Sequence, residues 1–151
     1  MIEDRLAELG IELPPTPAAL ASYVPVRVAG DLAFVAGQVP IQEGELLSSG
    51  RVGAEVTLER GQEAARRCAL QALAALRAEL GSLDRVAEIV KLDVFVASAP
   101  GFVDQPKVAN GASDLLVEIF GDRGRHARAA VGVSELPLGA SVEVVVLARV
   151  G

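Results

Sequence analysis

Two ionisable side chains sit in runs of small apolar residues, where a charge has to be useful or be compensated. Arg128 lies near the start of ARAAVGV. Read plainly it is a surface arginine at a strand end, but a guanidinium flanked by alanines also offers a planar two-pronged donor in a groove open to a carboxylate. Glu143 lies in SVEVVVL, where strand alternation puts Val142, Val144 and Val146 on one face and Glu143, Val145 and Leu147 on the other. Its carboxylate shares a face with apolar side chains, so it needs a partner or a raised pKa unless the strand is exposed at an edge. Gly37-Gln38 closes a β-prone run just before Val39-Pro40. It serves either as a bend or as backbone laid open to a ligand, since glycine permits close approach. Asn110 reads as a helix-start residue.

The other chemical groups are few, and they exclude more than they suggest. The single histidine, His126, lies in the loop GDRGRH, and no serine sits in a nucleophile elbow, so it reads as a loop histidine. The single cysteine, Cys68, falls mid-helix at an inward position and reads as core. One cysteine and one histidine make neither an internal disulfide nor a soft or imidazole ligand set for zinc or iron. The glycine-rich stretches match neither the phosphate-loop nor the dinucleotide fingerprint. Neither a transition-metal centre nor a nucleotide cofactor is therefore expected. Twenty acidic against fourteen basic residues leave a net charge of −6, which repels phosphate backbones. Aromatic residues make up 3%, with no tryptophan, so stacking platforms for bases are missing. Nucleic acid is not an expected partner, although Arg123, Arg125 and Arg128 offer a local basic patch. The N-terminus lacks the charged-then-apolar pattern of a secretory leader, and apolar runs stay well short of the ~20 residues of a membrane helix, so a cytoplasmic protein is expected.

These residues need a scaffold, and 151 residues at 51% hydrophobic content suffice for one domain with a real core. Residues 1–22 read as a short helix carrying Ile2, Leu6 and Leu9, ended by Gly10 and followed by a linker with Pro14, Pro15 and Pro17; residues 23–151 read as the domain proper. VRVA and DLAFV flank Gly30-Asp31 as a hairpin. A connecting loop follows, with a short strand near Glu45 to Leu47. Thr57 to Gly81 bounds a helix of about six turns with an alanine-rich inner stripe. VAEIVKLDVFVAS reads as a long central strand, Pro100 to Lys107 as a loop, and Val108 to Phe120 as a second helix. ARAAVGV and SVEVVVLARV complete the order β-β-(β)-α-β-α-β-β. This predicts an α+β two-layer sandwich, one mixed sheet covered on one face by two helices. The other apolar face is left to pack against neighbouring copies.

Taken together and in order, Tyr23, Gly37-Gln38-Val39-Pro40, KLDVFVAS, Asn110 before a helix, Arg128 in ARAAVGV, Leu136-Pro137 and Glu143 in VEVVVLA resemble the reactive-intermediate deaminase family, RidA or YjgF. The resemblance runs from about Tyr23 to Ala148. It implies a chorismate-mutase-like fold and a homotrimer with clefts shared between subunits. It further implies cofactor-free hydrolysis of 2-aminoacrylate-type enamines and imines to 2-oxo acids and ammonia. By the same resemblance Arg128 holds a substrate carboxylate, Glu143 positions and activates water, and Tyr23, Gly37, Asn110 and Ala130 line the pocket. The family often has Ser or Thr where this chain has Ala36, active members often have Cys where it has Ala130, and Asp104 to Lys107 reads as an insertion at the pocket mouth. A trimeric binding protein for carboxylates or keto acids without turnover is the alternative expectation, with an endoribonuclease or translation inhibitor behind it.

Overall fold

The computed structural model describes residues 1–16 and 21–151. Strands β1 (Val26–Ala29) and β2 (Leu32–Val35) form the expected hairpin, with Gly30 in the left-handed region at φ 62° where the two-residue turn requires it. A two-residue ribbon of β3 (Ile41–Gln42) and β4 (Glu45–Leu46) follows. Helix α2 (Leu58–Leu80) starts where Thr57 Oγ1 accepts the Arg60 amide at 3.1 Å and stops at Gly81, whose φ of 86° ends the helix without a Cβ penalty. Then come β5 (Val86–Ala97), α3 (Gln105–Phe120), β6 (Ala127–Val133) and β7 (Val142–Val150).

The main sheet runs β1-β2-β7-β5-β6, with β5 and β6 parallel and every other pair antiparallel. Both long helices cover one face. Val142, Val144, Val146 and Ala148 of β7 and Leu92, Val94 and Val96 of β5 are buried beneath them. The inner side of α2 is largely alanine, including Ala65, Ala69 and Ala72, which lets the helix axis lie close to the sheet. Helices α2 and α3 meet at Gly111, where a Cβ would overlap the Gln62 backbone carbonyl.

Helix α1 (Ile2–Glu8) belongs to the same core through Ile2 and Leu6. Asp84 accepts the Ile2 and Glu3 amides at 2.6 and 3.2 Å, and Glu3 in return accepts the Leu83 amide at 2.8 Å, so each carboxylate satisfies amides its partner's turn leaves open. Of the proline-rich linker, residues 17–20, Pro17 among them, lie outside the described residues.

Two expectations need correction. Helix α3 begins at Gln105, not at Val108, with Asp104 as its N-cap and Pro106 in the first turn. Proline is tolerated there because the amide it lacks would have had no intrahelical partner. The stretch from Asp104 to Lys107 is therefore the start of a helix and not the end of a loop. Asn110, expected as a helix-start residue, lies in the second turn and is free to use its side chain elsewhere. Among the described residues, no helix is long and apolar enough to cross a membrane.

Candidate active site

Glu143 points away from the helices, as the β7 alternation requires: Val142 and Val144 are buried on the core face and Glu143 is half-buried on the other, opposite Phe95 of β5. Beyond Val35 the chain stays beside β7, with Gln38 and Val144 exchanging both backbone hydrogen bonds at 2.9 Å. This lays Gly37 directly over the Glu143 carboxylate, which any Cβ at residue 37 would overlap. The glycine is there for space, since its φ lies outside the left-handed region.

The segment is held from beneath by Gln71 of α2, only 3% exposed. Its amide donates to Gln38 Oε1 at 3.2 Å and to the Val39 carbonyl at 2.8 Å, and its Oε1 accepts the Ile41 amide at 2.8 Å. Gln38 in turn donates to the Ala36 carbonyl at 3.0 Å. Every strong hydrogen-bonding direction of Gln71 but one is thus used to fix the backbone beside Glu143.

Glu143 forms one wall of a groove of about 990 Å³ that Tyr23, Arg27, Phe34, Gly37 and Leu138 also line. Tyr23 is 56% and Leu138 79% exposed at its rim. Glu143 makes no hydrogen bond to any described residue, and burial holds its pKa above the ordinary carboxylate value. Such a carboxylate is a better base than one in free solution and has its oxygens available.

Arg128 belongs to a second cluster. Its Nη1 donates to Asn110 Oδ1 at 2.8 Å and to Ser113 Oγ at 3.1 Å, both on α3 and one turn apart. That accounts for both Nη1 hydrogens. The edge formed by Nε and Nη2 makes no hydrogen bond to a described residue, and this edge fits the two oxygens of a carboxylate. Ala130, two residues on, is half-buried against the core, opposite Val94. Cys68 is fully buried, burial pushes its thiol well up, and it takes no part in either cluster.

Register separates the two clusters. Arg128 pairs with Leu92, a core-face residue, while Glu143 pairs with Phe95 on the open face. Within one chain, therefore, Tyr23, Gly37 and Glu143 come together, Arg128 and Asn110 come together, and the two groups lie on opposite sides of the sheet. Sequence reasoning missed Arg27, Gln71 and Ser113, and it read His126 as a bare loop residue. Ser113 lies one helical turn beyond Asn110, a spacing that does put two side chains on one face.

This fold matches a known family. The profile described as "YjgF/chorismate_mutase-like, putative endoribonuclease" matches residues 3–150. The chain is 50% identical over 141 residues to Protein TCP17 of Trypanosoma cruzi, covering 93% of this chain and 88% of that one. The crystal structure of Atu1372 from Agrobacterium tumefaciens, a protein of unknown function, is 44% identical and superposes with a TM-score of 0.92, covering 99% of this chain and 92% of that one. A structure from Shewanella oneidensis that also carries the endoribonuclease label is 37% identical, with a TM-score of 0.94 and 99% of both chains covered. The chain belongs to the RidA/YjgF family, and its α+β sandwich is the YjgF/chorismate-mutase-like fold.

Proposed function

We propose that the protein is a cofactor-free hydrolytic deaminase of 2-aminoacrylate-type enamines and imines, working at sites shared between neighbouring subunits of a homotrimer. The observation that carries the reading is Glu143, a half-buried carboxylate with a raised pKa and no hydrogen-bonding partner among the described residues, at the wall of an open groove. The open Nε/Nη2 edge of Arg128 supplies the complementary carboxylate clamp.

The enamine first takes a proton from solvent on its β-carbon to become the protonated imine. A protonated imine carbon is already electrophilic, so a clamp and a positioned water supply most of what the step needs. Glu143 accepts a proton from water as the oxygen bonds to that carbon, and the C=N π pair moves to nitrogen. Glu143 then returns the proton to the nitrogen of the carbinolamine. The C–N bond breaks as the hydroxyl closes to a carbonyl and its proton passes to the departing ammonia, releasing a 2-oxo acid and ammonium.

A second copy of the chain is needed because Arg128 and Glu143 lie on opposite faces of one sheet. Support for this comes from the open face itself, where Phe34 and Val131 are 47% and 45% exposed, and from β6 being an edge strand that carries Arg128 outward. The endoribonuclease label of the relatives is not carried over. A net charge of −6 disfavours a polyanionic substrate.

The direct test is a coupled assay in which a pyridoxal-phosphate dehydratase releases 2-aminoacrylate or 2-aminocrotonate and keto-acid formation is followed with and without the protein. Faster formation, proportional to added protein, is expected. No acceleration, with pyruvate nevertheless binding to the protein, would leave the carboxylate-binding protein as the better reading.

A further inference from the structure

We propose that Ser113 and His126 are positioning residues that hold the Arg128 guanidinium with its Nε/Nη2 edge outward, so that carboxylate binding depends on a hydroxyl and an imidazole remote from the substrate. The proposal rests on the reading of Arg128 as the carboxylate clamp.

The hydrogen-bond chain can be followed atom by atom. His126 Nδ1 lies 2.6 Å from the Gly124 carbonyl, which can only accept, so Nδ1 carries a hydrogen. In the neutral imidazole Nε2 is then an acceptor. Ser113 Oγ lies 2.9 Å from Nε2, so the serine hydroxyl donates to it. With its hydrogen committed, Ser113 Oγ presents lone pairs to Arg128 Nη1 at 3.1 Å. The chain therefore runs one way: Arg128 Nη1 to Ser113 Oγ, Ser113 to His126 Nε2, His126 Nδ1 to the Gly124 carbonyl.

The backbone that sets this up is itself constrained. Gly124 is buried, and a Cβ there would overlap the Leu116 carbonyl of α3, so the turn over 121–124 can lie against the helix only with glycine at 124. That contact places the Gly124 carbonyl and brings His126 back over Ser113. Without the serine, Nη1 keeps Asn110 alone, and the guanidinium can rotate about the remaining bond.

The experiment combines NMR on the intact protein with steady-state kinetics. Nitrogen shifts of the His126 ring at pH 8 are expected to report the Nδ1–H tautomer. The Arg128 Nε–H signal is expected to be ordered in the wild type and in Ser113→Thr, and to lose order in Ser113→Ala. Ser113→Ala and His126→Ala should raise KM about tenfold with kcat within about twofold, and Ser113→Thr should restore KM, because a clamp contributes equally to ground and transition states. A merely structural serine would not produce that split. An Nε2–H tautomer, an Arg128 signal equally ordered in Ser113→Ala, or a KM raised as much by threonine as by alanine overturns the proposal. An unchanged KM in Arg128→Ala overturns its binding half together with the clamp reading. The intact tautomer and ordered guanidinium would distinguish that result from failure of the relay.

Discussion

Glu143→Gln is expected to lower kcat for imine hydrolysis by about 10²–10⁴-fold, the range that a positioned general base contributes. The amide keeps the shape of the side chain and its place beside Gly37, so binding of a keto acid should survive. Stability should move the other way. Burial raises the folded-state pKa of Glu143, which means that the ionised carboxylate works against folding. That penalty is absent below the ordinary carboxylate pKa and fully present above the raised one. Glutamine should therefore raise Tm at pH 8 and lose the advantage near pH 4, as calorimetry at the two pH values would record. In the wild type, kcat/KM should fall on the acid side through a pKa above the ordinary value of a glutamate, because the base must be ionised. A variant with normal turnover would remove Glu143 from the chemistry.

Arg128→Ala is expected to act on binding more than on turnover. Two charge-assisted hydrogen bonds to a carboxylate, at about 1.5 kcal/mol each, correspond to a loss of roughly 10²-fold, which should appear in KM with kcat little changed. Its stability cost should be small, since the side chain is exposed and its partners Asn110 and Ser113 can turn to water. Lysine should restore little, because a point charge cannot reproduce the two-pronged edge that the relay holds outward. Initial rates against substrate concentration for wild type, Arg128→Ala and Arg128→Lys check this. An unchanged KM would mean that the carboxylate binds elsewhere, with Arg27, which lines the same groove as Glu143, as the next guanidinium to examine.

How much of this could be read from the sequence follows from the range of each interaction. Local signals were legible: the alternation over Val142 to Leu147, the Thr57 cap and Gly81 stop of α2, and the Gly30-Asp31 turn all act within a few residues. The start of α3 was misread because the proline and glycine before Val108 resemble a loop, while Pro106 in fact occupies a first-turn position that suits it. Arg128 and Glu143 were both singled out, but alternation gives faces within a strand and not the phase between strands. It takes the pairings Leu92 with Arg128 and Phe95 with Glu143 to put them on opposite sides. Gln71 and the His126–Ser113 contact were invisible for a related reason. Each joins segments that only packing brings together, α2 to the end of β2 in one case and the turn over 121–124 to α3 in the other.

The central claim, that each site takes Glu143 from one subunit and Arg128 from its neighbour, is tested most directly by mixing two variants that each hydrolyse slowly at substrate concentrations well below KM. Glu143→Gln and Arg128→Ala chains would be unfolded and refolded together, and 2-aminoacrylate hydrolysis compared with each variant refolded alone. In random mixed assemblies about a quarter of the interfaces pair an intact Glu143 with an intact Arg128, so activity should return to about a quarter of wild type. If mixing restores nothing while mixed assemblies demonstrably form, both residues act within one chain or not at all, and the shared site is wrong.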